Sequence, residues 1–242
     1  MRRSCHPTPR VPHAHRDRPG RGSPWRAAPN DSSASVRGYC TRPGRHSNTR
    51  AVQIAVIGAG RIGRTLGEKW AAAGHTVVYG VRAAEGADER PVREAADGAD
   101  VIVLAVPGNA AMDVIESLGP TLAGRVVIDA TNDVAAPGSG TLRARATLAQ
   151  GADPVRAFNT LGWENFADPI VGGVPADLLF GAEEGRGKDV AEQLIRDMGL
   201  EPVWVGGVDE FDVVDSVTQL WFTLVFKRQL GRRLAFKVLR DP

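Results

Sequence analysis

The sequence predicts an α/β fold: a doubly wound, mostly parallel sheet with a small C-terminal helical or α+β extension. Three observations carry that expectation. From residue 51 onward, short apolar runs alternate with segments of helical period. The runs are nearly continuous, as in strands covered on both faces, and Val101–Val106 is the clearest of them. A glycine-rich turn, Gly58-Ala59-Gly60-Arg61-Ile62-Gly63, joins the first run to the first helical segment.

The elements follow in order. Ala51–Ile57 reads as a buried strand, and Arg61–Ala73 as a helix with Ile62, Leu66, Trp70 and Ala73 on one face. Gly74-His75 stops that helix, and Thr76–Gly80 is the second strand. Pro91–Ala99 is a short helix with proline at its start, followed by the strand Val101–Val106. Ala110–Leu118 is helical, Val126–Ala130 a strand, Leu142–Gln150 a helix and Val155–Phe158 a strand. After a loop come a strand near Asp177–Gly181, a helix Gly187–Met198 and a strand Pro202–Val205. Two last helices are expected over Asp209–Phe226 and Lys227–Leu239. The domain reading is a basic tail over 1–50, a nucleotide-binding domain over 51–160, and a small region over 161–242 packed on the sheet.

Composition separates the tail from the body. Residues 1–50 hold 11 Arg, no Lys, and only Asp17 and Asp31 as acids, so the net charge of +2 conceals a basic tail on an acidic body. Proline, serine and arginine dominate the tail and aliphatic runs are missing, which is the composition of a disordered segment. Arg2-Arg3 is not followed by the apolar stretch that an export signal needs. No stretch of 18 apolar residues occurs, so no membrane span is expected, and the acidic body speaks against a nucleic-acid partner. Cys5 and Cys40 lie in the tail, as do four of the five histidines. The body therefore has no thiol nucleophile, no disulfide and no Cys/His metal site, which fits a reducing cytoplasm.

The glycine turn carries the first chemistry. It matches G-x-G-x-x-G between a strand and a helix, with a second strand within about 30 residues. Gly58 allows the tight turn, Gly60 lets backbone approach a pyrophosphate, and Gly63 and Gly67 bring the helix close to the sheet. Free N–H groups and the helix dipole then favour an anion. The end of the second strand selects the cofactor. An NAD site places a carboxylate there, whereas this chain has Tyr79-Gly80-Val81-Arg82 and no acid until Glu85. Arg82 can fork onto a 2′-phosphate, so NADP(H) is the expected cofactor.

Ligands on such sheets sit beyond the carboxyl ends of the strands. The turns there are Ala105-Val106-Pro107-Gly108-Asn109, Ala130-Thr131-Asn132 and Asn159-Thr160-Leu161-Gly162-Trp163. Asn109, Thr131, Asn159 and Thr160 are the redox-face candidates, and none of these turns holds His, Lys or Tyr. Asp129 is expected to cap its turn, and His75 lies at the wrong end of its strand. Carbonyl reduction needs a proton as well as a hydride. Transfer between two redox cofactors needs chiefly alignment.

The segments IAVIGAGRIGRTL, ADVIVLAVP, RAFNTLGWENF and PADLLFGA together resemble the F420-dependent NADP reductases over residues 52–240. The resemblance implies a Rossmann-type domain for NADP(H), a small C-terminal part closing over a deazaflavin, and hydride passage between deazaflavin C5 and nicotinamide C4. It implies that Gly58, Gly60, Arg61 and Ile62 cradle the pyrophosphate and that Arg82 meets the 2′-phosphate. Val106 and Pro107 would flank the nicotinamide, with Asn159 and Thr160 on the redox face. Three sites depart from the family pattern: Val81 stands where Ser or Thr is usual, the run Gly108-Asn109-Ala110 replaces a Trp-Glu-His-like run, and Asn159 stands where some members have His.

Trp163 and Phe166 can either stack on a planar ring or pack beneath the loop. Val213–Phe226 is apolar nearly all round, which suits burial or pairing with a second copy as a homodimer. Other readings stay open: an NADP-dependent reductase of a flavin, metal, carbonyl or imine, or a non-catalytic NADP-binding protein. The dehydrogenases append a long helical domain, often with a catalytic lysine. Here Lys188, Lys227 and Lys237 fall on late, surface-type segments.

Overall fold

The structure is a computed structural model, and it describes residues 50–133 and 139–241. The basic tail lies outside the described residues except for Arg50. An eight-stranded sheet runs in the order β10-β9-β6-β5-β4-β1-β2-β3. Its strands are β1 Gln53–Ile57, β2 Thr76–Val81, β3 Glu89–Pro91, β4 Val101–Leu104, β5 Val126–Asp129, β6 Asp153–Arg156, β9 Asp177–Ala182 and β10 Glu201–Gly206. From β3 to β6 all pairs are parallel and in Rossmann order. β9 joins β6 antiparallel, and β10 joins β9 parallel. The fold is thus the expected doubly wound, mostly parallel one, with the last two strands reversed.

Alternate side chains of each strand feed opposite faces. Ile54 and Val56 join Leu66, Trp70, Phe158 and Leu194 on one side, while Ala55 and Ile57 join Ile102, Ile115 and Leu118 on the other. Helix α1 (Arg61–Ala72) buries Gly63, Leu66, Gly67 and Trp70. A Cβ on Gly67 would lie 2.2 Å from the Tyr79 hydroxyl, so the helix sits on β2 only because that side chain is missing. Ala73 is exposed beyond the helix end, contrary to the expected face, because the buried seam follows the glycines.

The helices α2 (Val92–Asp97), α3 (Ala111–Leu118), α4 (Ser139–Ala149), α6 (Arg186–Asp197) and α7 (Phe211–Phe222) lie where helical period placed them, to within a turn. Three short elements were not expected: β3, the five-residue helix α5 (Trp163–Ala167), and the hairpin of β7 (Ile170–Val171) with β8 (Val174–Pro175). The expected helix over Lys227–Leu239 does not form. After α7 and a widened π-type turn at Thr223–Lys227, residues 228–241 run as an extended strap. Gln229 and Gly231 take positive φ (56° and 83°), which breaks the helix. Tertiary partners then capture the freed backbone: Asn165 Nδ2 donates to the carbonyls of Arg232 and Leu234, and Asp177 accepts from Val238 N at 2.6 Å and Lys237 Nζ at 2.6 Å.

Strand register aligns the functional edge. Gly80, Ile57, Leu104, Asp129 and Arg156 stand side by side across β2, β1, β4, β5 and β6. The turns that follow them therefore meet along one rim.

Candidate functional site

The glycine turn has the geometry that its residue types require. Gly58 has φ 108°, and a Cβ on it would lie 2.6 Å from the Ala105 carbonyl oxygen. A Cβ on Gly63 would lie 2.0 Å from the Gly58 carbonyl oxygen, so only glycine lets the helix start here. Around Gly60 a Cβ would meet nothing within 4 Å. Gly60 is therefore not needed for packing, and the open space beside it is where a bulky group could approach backbone. The first turn of α1 carries no acid and no side-chain cap, so its N–H groups are available to an anion.

Beside it, at the switch point between β1 and β4, lies an open crevice of about 440 Å³ lined by Ile62, Ala105, Val106, Ala130, Thr131 and Asn132. Among the described residues no ionisable side chain lines it. Pro107 and Asn109 are exposed on the neighbouring turn. A Cβ on Gly108 would lie 2.6 Å from Asp133 Cβ, so glycine lets this turn rest on the one after β5. Thr131 faces inward: its hydroxyl donates to Asp129 Oδ1 at 2.6 Å, as does its backbone N–H at 2.9 Å. Asp129 is thus a turn cap. Burial opposes its charge, but Arg156 and Arg143 outweigh burial and hold its carboxyl below the ordinary aspartate value.

Asn159 and Thr160 do not lie on the open face; both are buried, at 1% and 0% exposure. They follow Phe158, a bulky residue held at φ 62° between Trp70 and Phe166 (ring centroids 5.3 and 6.0 Å). Such a conformation costs about 1–3 kcal/mol and persists only where packing enforces it. Asn159 Nδ2 donates to Thr218 Oγ1 at 2.8 Å, and Asn132 Nδ2 donates to the Asn159 carbonyl at 3.2 Å. Below them Arg156 joins Asp215 (2.7 Å) to Asp129 (3.2 Å), and Arg143 closes the chain on Asp129 (2.6 Å). Among the described residues, Asn132 Oδ1, Asn159 Oδ1, Thr160 Oγ1 and Trp163 Nε1 are buried with no hydrogen-bond partner. Orphaned polar atoms on neighbouring turns are what a polar planar ligand at this rim would need.

Arg82 is exposed at the end of β2 and has no hydrogen bond or ion pair among the described residues. Arg61 is exposed with its guanidinium 5.1 Å from the Trp163 ring centroid. Trp163 is half-buried at the rim, whereas Phe166 is fully buried core. His75 lies at the opposite end, accepting from Val52 N at 3.3 Å and facing Asp197 at 3.0 Å.

The rim thus brings together the glycine turn, Ile62, Val106 and Thr131. It leaves Asn109 and Pro107 at the margin and Asn159 and Thr160 beneath. The sequence reading did not single out Asn132, nor the Arg156–Asp215 pair that holds α7 under the site. Asn132 was visible as a turn residue after a strand; the pairing of residues 59 positions apart had no local signal.

Residues 53–133 match the family described as NADP oxidoreductase, coenzyme F420-dependent. An F420-dependent NADP reductase of Methanothermobacter marburgensis is 29% identical over 225 residues, covering 79% of this chain and 100% of the relative. A solved structure from Arthrobacter sp. FB24, described as an F420-dependent NADP-reductase, has a TM-score of 0.69 at 20% identity and covers 78% of this chain and all of its own. A Streptomyces aurantiacus imine reductase shares the fold (TM-score 0.59, 17% identity), matching 73% of this chain and 62% of its own. The chain is therefore similar to F420-dependent NADP reductases over most of its length, and residues 53–133 match the family model.

Proposed function

We propose that the protein is an NADP-dependent oxidoreductase that moves a hydride between NADP(H) and a deazaflavin, coenzyme F420. The carrying observation is the crevice beside the glycine turn. Among the described residues it is lined by small, apolar and neutral polar side chains, none of them suited to proton transfer. When bound, the nicotinamide and deazaflavin supply the hydride chemistry. The chain's own work is binding, orientation and exclusion of water. Gly58, Gly60, Arg61, Ile62 and Gly63 would hold the diphosphate at the start of α1, and Arg82 would meet the 2′-phosphate. Val106 and Pro107 would bound the nicotinamide, Asn132 would offer its amide at the rim, and Asn159 and Thr160 would support that rim from beneath.

The names of the relatives support this partner pair, and the neutral rim suits it. The same reading places the protein in the cytoplasm as a homodimer. Pairing would use the apolar surface of α7 and the following turn, where Leu220 and Phe226 are half exposed. Among the described residues no helix is long and apolar enough to cross a membrane. The test is a stopped-flow mix of NADPH-loaded protein with a deazaflavin, a flavin, a ferric chelate and a cyclic imine. Oxidation of NADPH by the deazaflavin alone is expected. Turnover of the imine with the deazaflavin ignored would overturn the reading.

A further inference from the structure

The loop that carries Arg82 is held by a clamp that the proposed function does not use. Residues 82–88 join β2 to β3, and Glu89 stands opposite Tyr79 in the parallel pair. Glu89 Oε2 accepts from Glu85 N at 3.0 Å and Gly86 N at 3.1 Å, so one carboxylate ties the loop to its own base. The other oxygen, Oε1, pairs with Arg64 Nη2. Arg64 also meets Asp88 at 2.8 Å and stacks on the Tyr79 ring, 4.1 Å from its centroid. The Tyr79 hydroxyl in turn lies where a Cβ of Gly67 would be. The clamp therefore runs from the seam of α1 to the loop, and it commits Arg64 to two carboxylates. Arg82 is left as the loop's uncommitted cation.

We propose that Glu89, locked by Arg64, is the positioning residue that fixes the Arg82 loop and so sets the preference for a 2′-phosphorylated nucleotide over its non-phosphorylated counterpart. A flexible loop would pay the ordering of Arg82 at the moment of binding, and only the 2′-phosphate draws on that residue. The clamp removes this cost in advance. The inference rests on the reading of Arg82 as the 2′-phosphate ligand, and it requires no particular hydride acceptor.

The experiment is equilibrium titration of the full chain with NADPH and with NADH, read by nicotinamide fluorescence. The variants are Arg82→Ala, Glu89→Ala, Arg64→Met, the double variant Arg82→Ala/Glu89→Ala, and Glu89→Gln. Arg82→Ala is expected to lower the NADPH-to-NADH affinity ratio about tenfold or more. Glu89→Ala and Arg64→Met should each lower it several-fold with NADH binding nearly unchanged. The double variant should fall no further than Arg82→Ala, because both act through one contact. Glu89→Gln, whose amide oxygen can still accept from the loop but whose NH2 cannot pair with Arg64, should lower the ratio no more than Arg64→Met does and less than Glu89→Ala. Should Glu89→Ala fail to fold, Arg64→Met and Glu89→Gln carry the test. If Arg82→Ala lowers the ratio while Glu89→Ala and Arg64→Met leave it intact, this inference is overturned and the NADP reading stands. A wild-type ratio near one overturns both.

Discussion

At the scale of single residues, the glycines of the turn separate folding from binding. Gly63→Ala would force a Cβ to 2.0 Å from a backbone oxygen, and we expect loss of the folded state or a large fall in melting temperature. Gly60→Ala meets nothing within 4 Å, so its melting temperature should stay near wild type while nucleotide affinity drops. Thermal melts beside NADPH titrations check this pair, and unchanged binding in Gly60→Ala would place the diphosphate elsewhere. Arg82→Ala should weaken NADPH by about 1.5–3 kcal/mol and spare NADH, the scale of a hydrogen bond to a charged group. These positions were legible in the sequence because each is governed by its own backbone. Glu89 was not legible: its carboxylate acts on N–H groups of a turn whose shape depends on Arg64 and Tyr79 across two other elements. Nor was the burial of Asn159 and Thr160, since a polar pair after a strand reads as rim, and only packing of Phe158 and α7 puts it underneath.

At the scale of elements, apolar runs found the long strands and helical period found the long helices. Both signals failed at the C-terminus, where Lys227–Leu239 has helical composition but finds better partners as a strap. Intrinsic propensity is a weak prior against such tertiary hydrogen bonds. Lys237→Ala, which removes a partner of the buried Asp177, should lower stability by about 1–3 kcal/mol in urea unfolding. The buried chain Arg143–Asp129–Arg156–Asp215 ties α4, β5, β6 and α7 together. Breaking one partner leaves a charge uncompensated, so Asp215→Asn should cost about 3–5 kcal/mol. Asp129 has a native pKa below its ordinary 3.8, so its contribution is full above that value and lost as pH falls through the native one. Unfolding free energy should therefore decline on acidification below about pH 4, and Asp129→Asn should be less stable at pH 7 yet flatter with pH.

At the scale of the whole molecule, the order of strands puts five turns on one rim, and their residue types decide the chemistry open to it. Among the described residues the lining of the crevice offers apolar surface and neutral hydrogen-bonding groups and no ionisable side chain. The exposed apolar side chains of α7 bear on assembly. If two copies pair there, Leu220→Glu with Phe226→Glu should give monomers by light scattering. In the proposed reaction the protein aligns two cofactors and leaves the chemistry to them. The most direct measurement is a single turnover with NADPH doubly deuterated at nicotinamide C4, followed by mass analysis of the deazaflavin product. Direct transfer predicts one deuterium retained on the reduced deazaflavin and none released to water. Loss of the label to solvent, or its appearance in a reduced imine or carbonyl with the deazaflavin untouched, would rule out direct transfer between the two cofactors.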